Sequence, residues 1–115
     1  MDYPSYRIES FGCQMNLSDS ERIANQLESL GCVAVSQHER ADIIVLNTCC
    51  VRESAESRIF GRIGALKRLK TKNPEKLIII AGCLAQKDQE LIFRRAPHVD
   101  IVLGTQNVDR LVEII

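Results

Sequence analysis

Two hydrophobic periods alternate along this chain. Short runs rich in Val, Ile and Leu predict β-strands, and apolar residues spaced three or four apart predict amphipathic helices. Such alternation is typical of βαβ units, in which helices cover a parallel sheet. The predicted strands are residues 6–10, 32–35, 42–46, 77–81 and 100–103, and the predicted helices are residues 18–30, 54–72, 84–96 and 107–115.

Local signals set the expected ends of these elements. Ser18 and Glu21 form a capping-box pattern, which predicts that the first helix begins at Ser18, and Gly31 fits a left-handed helix end. The run 42–46 is continuously apolar, like a strand covered on both faces, and residues 47–53 are expected to form the loop after it. The predicted fold is α/β: an open, mostly parallel sheet of about five strands with helices on both faces, in a three-layer flavodoxin-like or Rossmann-like arrangement.

Length and composition narrow the class of protein. The 115 residues correspond to one domain, and 45% hydrophobic content supports an aliphatic core. A complete (β/α) barrel enzyme needs roughly 200 residues or more, so this length excludes one. Fifteen basic residues balance fifteen acidic ones, which argues against sequence-independent binding to nucleic acid or a membrane surface through a global charge. There is no apolar leader or membrane-length apolar run, so a cytoplasmic protein is expected.

The cysteines are the main candidates for chemistry. Cys13, Cys49 and Cys83 each follow a predicted strand and precede a predicted helix. In an open parallel sheet those loops share one edge, where ligands bind. Three convergent thiolates suit a soft metal or an iron–sulfur cluster, whereas each cysteine taken alone is also compatible with a small buried hydrophobe. Cys32 is expected in the core, and Cys50 is a possible substitute for Cys49.

Other chemistries of this fold class lack their motifs. A low-molecular-weight phosphatase or arsenate reductase needs an arginine six residues after its nucleophilic cysteine, and none of the five cysteines has one. The chain contains no CxxC redox pair, no GxGxxG after the first strand and no phosphate-binding GxxxxGK(S/T). His38 and His98 are expected at the surface. The basic residues of the long helix, with Arg94 and Arg95, are either a solvated face or a local RNA-binding patch.

Four motifs along the chain combine into one pattern. They are Phe11-Gly12-Cys13-Gln14-Met15-Asn16 with Asp19-Ser20-Glu21, Asn47-Thr48-Cys49-Cys50-Val51-Arg52-Glu53, Phe60-Gly61-Arg62, and Ala81-Gly82-Cys83-Leu84-Ala85-Gln86. Together they resemble the N-terminal domain of radical-SAM methylthiotransferases, over essentially the whole chain. Within that family, Gly-Cys-Gln-Met-Asn and the Val-Arg-Glu after the second cysteine resemble the tRNA-modifying MiaB type rather than the branch that modifies a ribosomal protein.

The resemblance implies that Cys13, Cys49 and Cys83 hold an auxiliary 4Fe–4S cluster with one open iron. It implies a tRNA substrate, methylthiolated at C2 of an isopentenylated adenosine next to the anticodon. S-adenosylmethionine and a second 4Fe–4S cluster then belong to a radical-SAM barrel, whose CxxxCxxC motif is absent here, as is the family's C-terminal RNA-binding domain. This single domain is therefore expected to be inactive alone, to be monomeric and to partner the radical-SAM domain of the same protein.

Further residues match motif positions beside the cysteines. We assign them, as a hypothesis, to hydrogen bonds with cluster sulfurs or substrate. Gly12 and Gly82 fit one of two roles: close backbone approach or an unusual backbone angle, or else an ordinary turn or cap. Methylthiolation of a ribosomal-protein aspartate and a metal-free docking module remain alternative functions. The assigned residues are Gln14, Asn16, Asn47, Arg52 and Gln86.

Overall fold

Five strands form one sheet in the order β2-β1-β3-β4-β5, and every neighbouring pair is parallel. This flavodoxin-like order confirms the predicted fold class. The computed structural model describes residues 5–10, 14–37, 39–48, 53–82, 89–104 and 110–114. The strands are β1 (Ser5–Ser10), β2 (Val33–Ala34), β3 (Ile43–Thr48), β4 (Leu77–Gly82) and β5 (Ile101–Leu103), and the described helices are α1 (Gln14–Ser29), α2 (Glu53–Lys72), α3 (Gln89–Arg95) and α4 (Leu111–Ile114).

A separate hydrophobic core lies on each face of the sheet. On one face, α2 and α3 pack against Ile44, Leu46, Ile78 and Ile80. On the other, α1 and α4 pack against alternate residues of the same strands, among them Ile43. Because successive strand residues point to opposite faces, β3 is buried along its whole length, as its apolar run predicts. The predicted three-layer arrangement is confirmed.

The helix faces follow the sequence pattern, and the start of α1 does not. Ile23 and Leu27 are fully buried, and Gly31 ends the helix with φ +91°, as expected. However, α1 begins at Gln14 rather than Ser18, so the capping-box residues lie inside the helix. Gln, Met and Leu between residues 14 and 17 are strong helix formers, and no Gly or Pro interrupts them. The local cap signal was therefore a wrong guide to the helix start.

Strand ends also differ from the prediction. β2 is a two-residue edge strand whose Val33 is 64% exposed, instead of residues 32–35. Conversely, β3 continues through Asn47 and Thr48, which the sequence pattern placed in a loop. Both residues are polar but buried, because they pair with residues 81–82 of β4. Tertiary pairing thus overrides their weak strand propensity.

Two predicted helices are described only in part. α3 is described from Gln89 and ends at Arg95, shortly before Pro97, so its predicted start at residue 84 lies outside the described residues. The cap expected at Asn107 also lies outside them, although Leu111 is buried as its pattern predicts. In the part of the chain that the structure describes, no helix is long and apolar enough to cross a bilayer.

Candidate metal centre at the carboxyl edge of the sheet

Three adjacent strands end almost level with one another at the carboxyl edge of the sheet. Ser10, the last residue of β1, is in register with Asn47, and Thr48, the last residue of β3, is in register with Gly82, the last residue of β4. Neighbouring strands lie about 4.8 Å apart. The carboxyl ends of β1, β3 and β4 therefore form a compact row, at the edge where open α/β sheets bind ligands.

The candidate ligands follow this row in the sequence. Cys49 comes directly after Thr48, Cys83 comes directly after Gly82, and Cys13 is the third residue after Ser10. Cys13, Cys49, Cys50 and Cys83 lie outside the described residues, as do Arg52 and Gln86. What the structure establishes is that the strand ends leading into the three candidate ligands are neighbours.

Gly82 is required by a close backbone approach between β3 and β4. Its φ is +97°, and a Cβ placed on it would lie 1.9 Å from the carbonyl oxygen of Thr48. The Thr48 hydroxyl donates a 2.7 Å hydrogen bond to the carbonyl oxygen of Ala81, in a buried position. Close approach, the first of the two expectations for Gly82, is confirmed, and Gly12 lies outside the described residues.

A small polar network joins α1 to the ends of β1 and β3. The Ser20 hydroxyl lies 2.6 Å from the Ser10 hydroxyl and accepts a 2.9 Å hydrogen bond from Asn47 Nδ2. Asn47 is fully buried. Sequence reasoning singled out Asn47 but missed Ser10, Ser20 and Thr48 as participants. The available signal was that Ser20 and Thr48 lie within the quoted motifs.

The start of α1 bears on Cys13. Because the helix begins at Gln14, Cys13 immediately precedes its first residue in the sequence, and Gln14 and Asn16 both lie in the first turn. The amino-terminal end of a helix carries partial positive charge, which favours a nearby anion by about 0.3–1 kcal/mol. The amino-terminal end of α1 is therefore a favourable place for negative charge.

Cys32 lies at the opposite edge of the sheet. The residue after it, Val33, pairs with Ser5 at the amino end of β1, five residues before Ser10. At about 3.3 Å per residue, this separates Cys32 from the carboxyl edge by roughly 16 Å. Cys32 is only 4% exposed and belongs to a hydrophobic core, which confirms the prediction. Burial, and to a smaller extent the Asp42 carboxylate, raises the pKa of its thiol.

We expect Cys32 to be alkylated at least about tenfold more slowly by iodoacetamide at pH 8 than free glutathione is. The thiolate is the reactive form, and both burial and the raised pKa reduce its accessible population. Peptide mass spectrometry over a time course measures this rate. The protection should disappear in concentrated urea, and rapid labelling of Cys32 in the folded protein would contradict its placement in the core.

Several of the basic residues considered for an RNA patch make contacts within the protein. Arg62 pairs with Glu9 at 2.9 Å, Lys70 pairs with Asp100 at 2.7 Å, and the Arg95 guanidinium lies 4.0 Å from the Phe60 ring centroid. Lys67, Arg68 and Lys72 are exposed on α2. Exposed cationic side chains are typical of a solvated helix face, so we favour that interpretation over an RNA-binding patch.

His98 is not the surface residue that the sequence indicated. It is partly buried, and its Nε2 lies 2.7 Å from the carbonyl oxygen of Ile63 on α2. Among the described residues, its buried Nδ1 has no hydrogen-bond partner. The expectation failed because the contact joins α2 to the turn after α3, which no local pattern reveals. His38 lies outside the described residues.

In the described ranges, no group of three or more His, Cys, Asp or Glu side chains is placed to hold a metal ion. The assignment of a metal centre therefore depends on the cysteines that follow the strand ends in the sequence. Three thiol groups following three adjacent strand ends match the soft, sulfur-rich ligation of iron–sulfur clusters. The residues present are compatible with such a group at this edge.

The fold and this edge define an open parallel α/β domain with cysteines following the ligand-binding ends of its strands. The chain belongs to the family described as "Uncharacterized protein family UPF0004", whose model matches residues 5–104.

Similar curated proteins are named tRNA-2-methylthio-N(6)-dimethylallyladenosine synthase. One from Parafrankia sp. is 51% identical over 107 residues, which cover 93% of this chain and 22% of the relative. One from Acidothermus cellulolyticus is 50% identical with the same coverage of both chains. One from Dictyoglomus thermophilum is 49% identical over 112 residues, covering 97% of this chain and 26% of the relative. The chain thus spans only about a fifth to a quarter of these relatives.

Proposed function

We propose that this chain is the N-terminal domain of a tRNA methylthiotransferase of the radical-SAM class. The enzyme adds a methylthio group to C2 of an isopentenyladenosine next to the anticodon. The observation that carries the proposal is the identity of about half of the residues, over 93% of this chain, to proteins named for that reaction. The branch that modifies a ribosomal protein is the alternative within the same chemistry.

The domain's part in this function is to hold an auxiliary 4Fe–4S cluster through Cys13, Cys49 and Cys83. The level ends of β1, β3 and β4 support this assignment, since each leads into one of the three cysteines within three residues. When bound by only three protein thiolates, such a cluster supplies an iron with an open position for an exogenous sulfur ligand. Cys32 is excluded from the ligand set by its place at the opposite edge of the sheet.

Two features of this domain favour binding of the cluster: the position of a helix end and a fixed backbone. The amino-terminal end of α1 favours negative charge at Cys13, but by at most about 1 kcal/mol, less than one pKa unit. Metal binding must therefore supply most of the driving force for deprotonation. The tight contact of Thr48 with Gly82 fixes the backbones that lead into Cys49 and Cys83.

We infer that polar residues of the four motifs orient the site. Asn47 is buried at the end of β3, and Gln14 and Asn16 lie in the first turn of α1. With Arg52 and Gln86, we assign them to hydrogen bonds with cluster sulfurs or substrate. Such contacts around a metal centre fix ligand geometry and adjust the metal's reactivity.

We assign the remaining steps of the reaction to the parts of the relatives that this chain does not cover. We assign S-adenosylmethionine and a second 4Fe–4S cluster to a radical-SAM domain of the same protein, and tRNA to the whole enzyme. This domain is then inactive alone, and a cytoplasmic, monomeric enzyme is part of the proposal.

A chimaera tests the substrate assignment. The matching 107-residue segment of the Parafrankia relative would be replaced by this chain, and the purified protein would be assayed anaerobically with tRNA and with ribosomes. We expect 2-methylthio-isopentenyladenosine in the digested tRNA, detected by mass spectrometry. The matched control carries Cys13→Ala, Cys49→Ala and Cys83→Ala and should form none. Failure of the wild-type chimaera to modify tRNA, with the unaltered relative active in parallel, would contradict the proposal.

A further inference from the structure

We propose that Ser20 is a positioning residue that holds the amino-terminal half of α1 against the ends of β1 and β3 and so sets the spacing of Cys13 and Cys49. This inference rests on the proposed function, because the cluster gives that spacing its purpose. The observation behind it is that one hydroxyl group joins three elements at the candidate edge.

The hydrogen-bonding capacity of serine fits this role. A hydroxyl group donates one hydrogen bond and accepts two. Ser20 accepts from Asn47 Nδ2 at 2.9 Å, and it shares a second bond of 2.6 Å with Ser10, in which either hydroxyl is the donor. A methyl group in its place would remove both contacts together.

The three bonded residues lie close in the sequence to two of the three candidate ligands. Ser10 precedes Cys13 by three residues and Ser20 follows it by seven. The hydrogen bond between Ser10 and Ser20 therefore joins the two ends of the chain segment that contains Cys13. Asn47 precedes Cys49 by two residues and is in register with Ser10 on the neighbouring strand. A shift of Ser20 relative to Asn47 would therefore alter the separation of the two chain segments that carry Cys13 and Cys49.

The overall fold does not depend on this contact. α1 is anchored by Ile23 and Leu27, which are fully buried in the core below it, whereas Ser20 is only partly buried. Asn47, in contrast, is fully buried, so the bond it donates to Ser20 is shielded from water at one end. Loss of the Ser20 hydroxyl should then leave the domain folded with a less constrained carboxyl edge.

The first experiment measures cluster release from the 115-residue chain after anaerobic reconstitution. We expect Ser20→Ala to lose iron to an excess of chelator about tenfold faster than wild type, because a hydrogen bond to a buried group contributes about that factor. The reduced cluster's electron paramagnetic resonance lines should broaden. Ser20→Thr retains the hydroxyl and should restore both readouts, and Ser10→Ala, which removes only one bond, should have a smaller effect.

Ser29→Ala is the matched control on the same helix. Its hydroxyl donates to the Gln26 carbonyl oxygen at the far end of α1, and it should release iron like wild type. Thermal unfolding of every metal-free variant shows whether the fold is intact. Wild-type release kinetics and spectra in both Ser20→Ala and Ser10→Ala, in chains that load iron normally, would overturn the role of Ser20 and leave the proposed cluster standing.

A second readout needs no iron. Phenylarsine oxide binds two neighbouring thiols, and in a Cys32→Ala, Cys50→Ala, Cys83→Ala background only Cys13 and Cys49 remain. We expect Ser20→Ala to weaken its binding about tenfold in that background, which corresponds to about 1.4 kcal/mol. If the 115-residue chain binds no iron, this measurement decides alone on Ser20: weaker binding supports Ser20 as a thiol-positioning residue, and equal binding overturns that role.

Discussion

Gly82→Ala is expected to lower the free energy of unfolding by roughly 2–5 kcal/mol, a large part of the stability of an ordinary domain. Two costs combine at this position. An alanine at φ +97° is strained by its own backbone, and its Cβ would lie 1.9 Å from the Thr48 carbonyl oxygen. That neighbour is backbone within the central sheet, so β3 and β4 must separate to accommodate the methyl group. Urea unfolding followed by circular dichroism measures the loss.

The other glycines provide matched controls. Gly31 has a similar φ of +91°, but an added Cβ would meet no atom of the described residues within 4 Å. Gly31→Ala should therefore cost only the backbone term, about 1–2 kcal/mol. Gly64 lies within α2, and no atom of the described part of the chain is within 4 Å of its Cβ position. Gly64→Ala should therefore stabilise the protein by about 0.5–1 kcal/mol. Equal losses for Gly82→Ala and Gly31→Ala would show that the close approach to Thr48 contributes nothing.

The layers of the fold could be predicted from the sequence because their signals are local. The continuous apolar run of β3 indicates burial on both faces, and the spacing of Ile59, Ile63 and Leu66 gives the buried stripe of α2. Each of these patterns lies within one element. Burial of the same residues in the structure confirms that hydrophobic periodicity determines which face each element presents to the core.

The geometry of the candidate edge depends on pairing between distant residues, which no local pattern contains. Asn47 and Thr48 are polar residues of a kind common in loops, and only their pairing with β4 shows that they belong to β3. The local sequence likewise does not show which residue lies against Gly82; the structure shows that it is Thr48. The contact of Ser10 with Ser20 requires the correct start and direction of α1. The capping-box pattern at Ser18 predicted a helix start four residues too late. Motif resemblance marked all of these residues except Ser10, but only the register of the sheet gives each a physical role.

The carboxyl edge is therefore held by contacts between elements rather than by the strands alone. Ser20 links α1 to β1 and β3, and the close contact of Thr48 with Gly82 links β3 to β4. Together they connect the backbones that lead into all three candidate ligands. A site of this kind is preorganised by its supporting residues, so substitutions in them should alter the proposed cluster even where the cysteines are intact.

Loss of bound iron is expected in Cys13→Ala, Cys49→Ala and Cys83→Ala, but not in Cys32→Ala or Cys50→Ala. The wild-type chain should bind about four iron atoms and a similar amount of acid-labile sulfide after anaerobic reconstitution, as a 4Fe–4S cluster requires. A cluster left with two protein ligands should fall well below this amount. Cys32→Ala is a suitable control because Cys32 lies roughly 16 Å away, at the opposite edge of the sheet.

The double variant Cys49→Ala, Cys50→Ala separates ligand identity from ligand exchange. Cys50 follows Cys49 directly, so it is the residue best placed in the sequence to substitute for it. If Cys49→Ala keeps its iron and the double variant loses it, the neighbouring thiol has replaced the lost ligand. If the double variant also keeps about four irons, the second strand end supplies no ligand and the three-cysteine assignment is wrong. Absence of iron from the wild-type chain would mean either that the cluster needs the remaining domains or that this is a metal-free docking domain; about eight irons in a full-length relative under the same conditions would favour the first, and about four would favour the second.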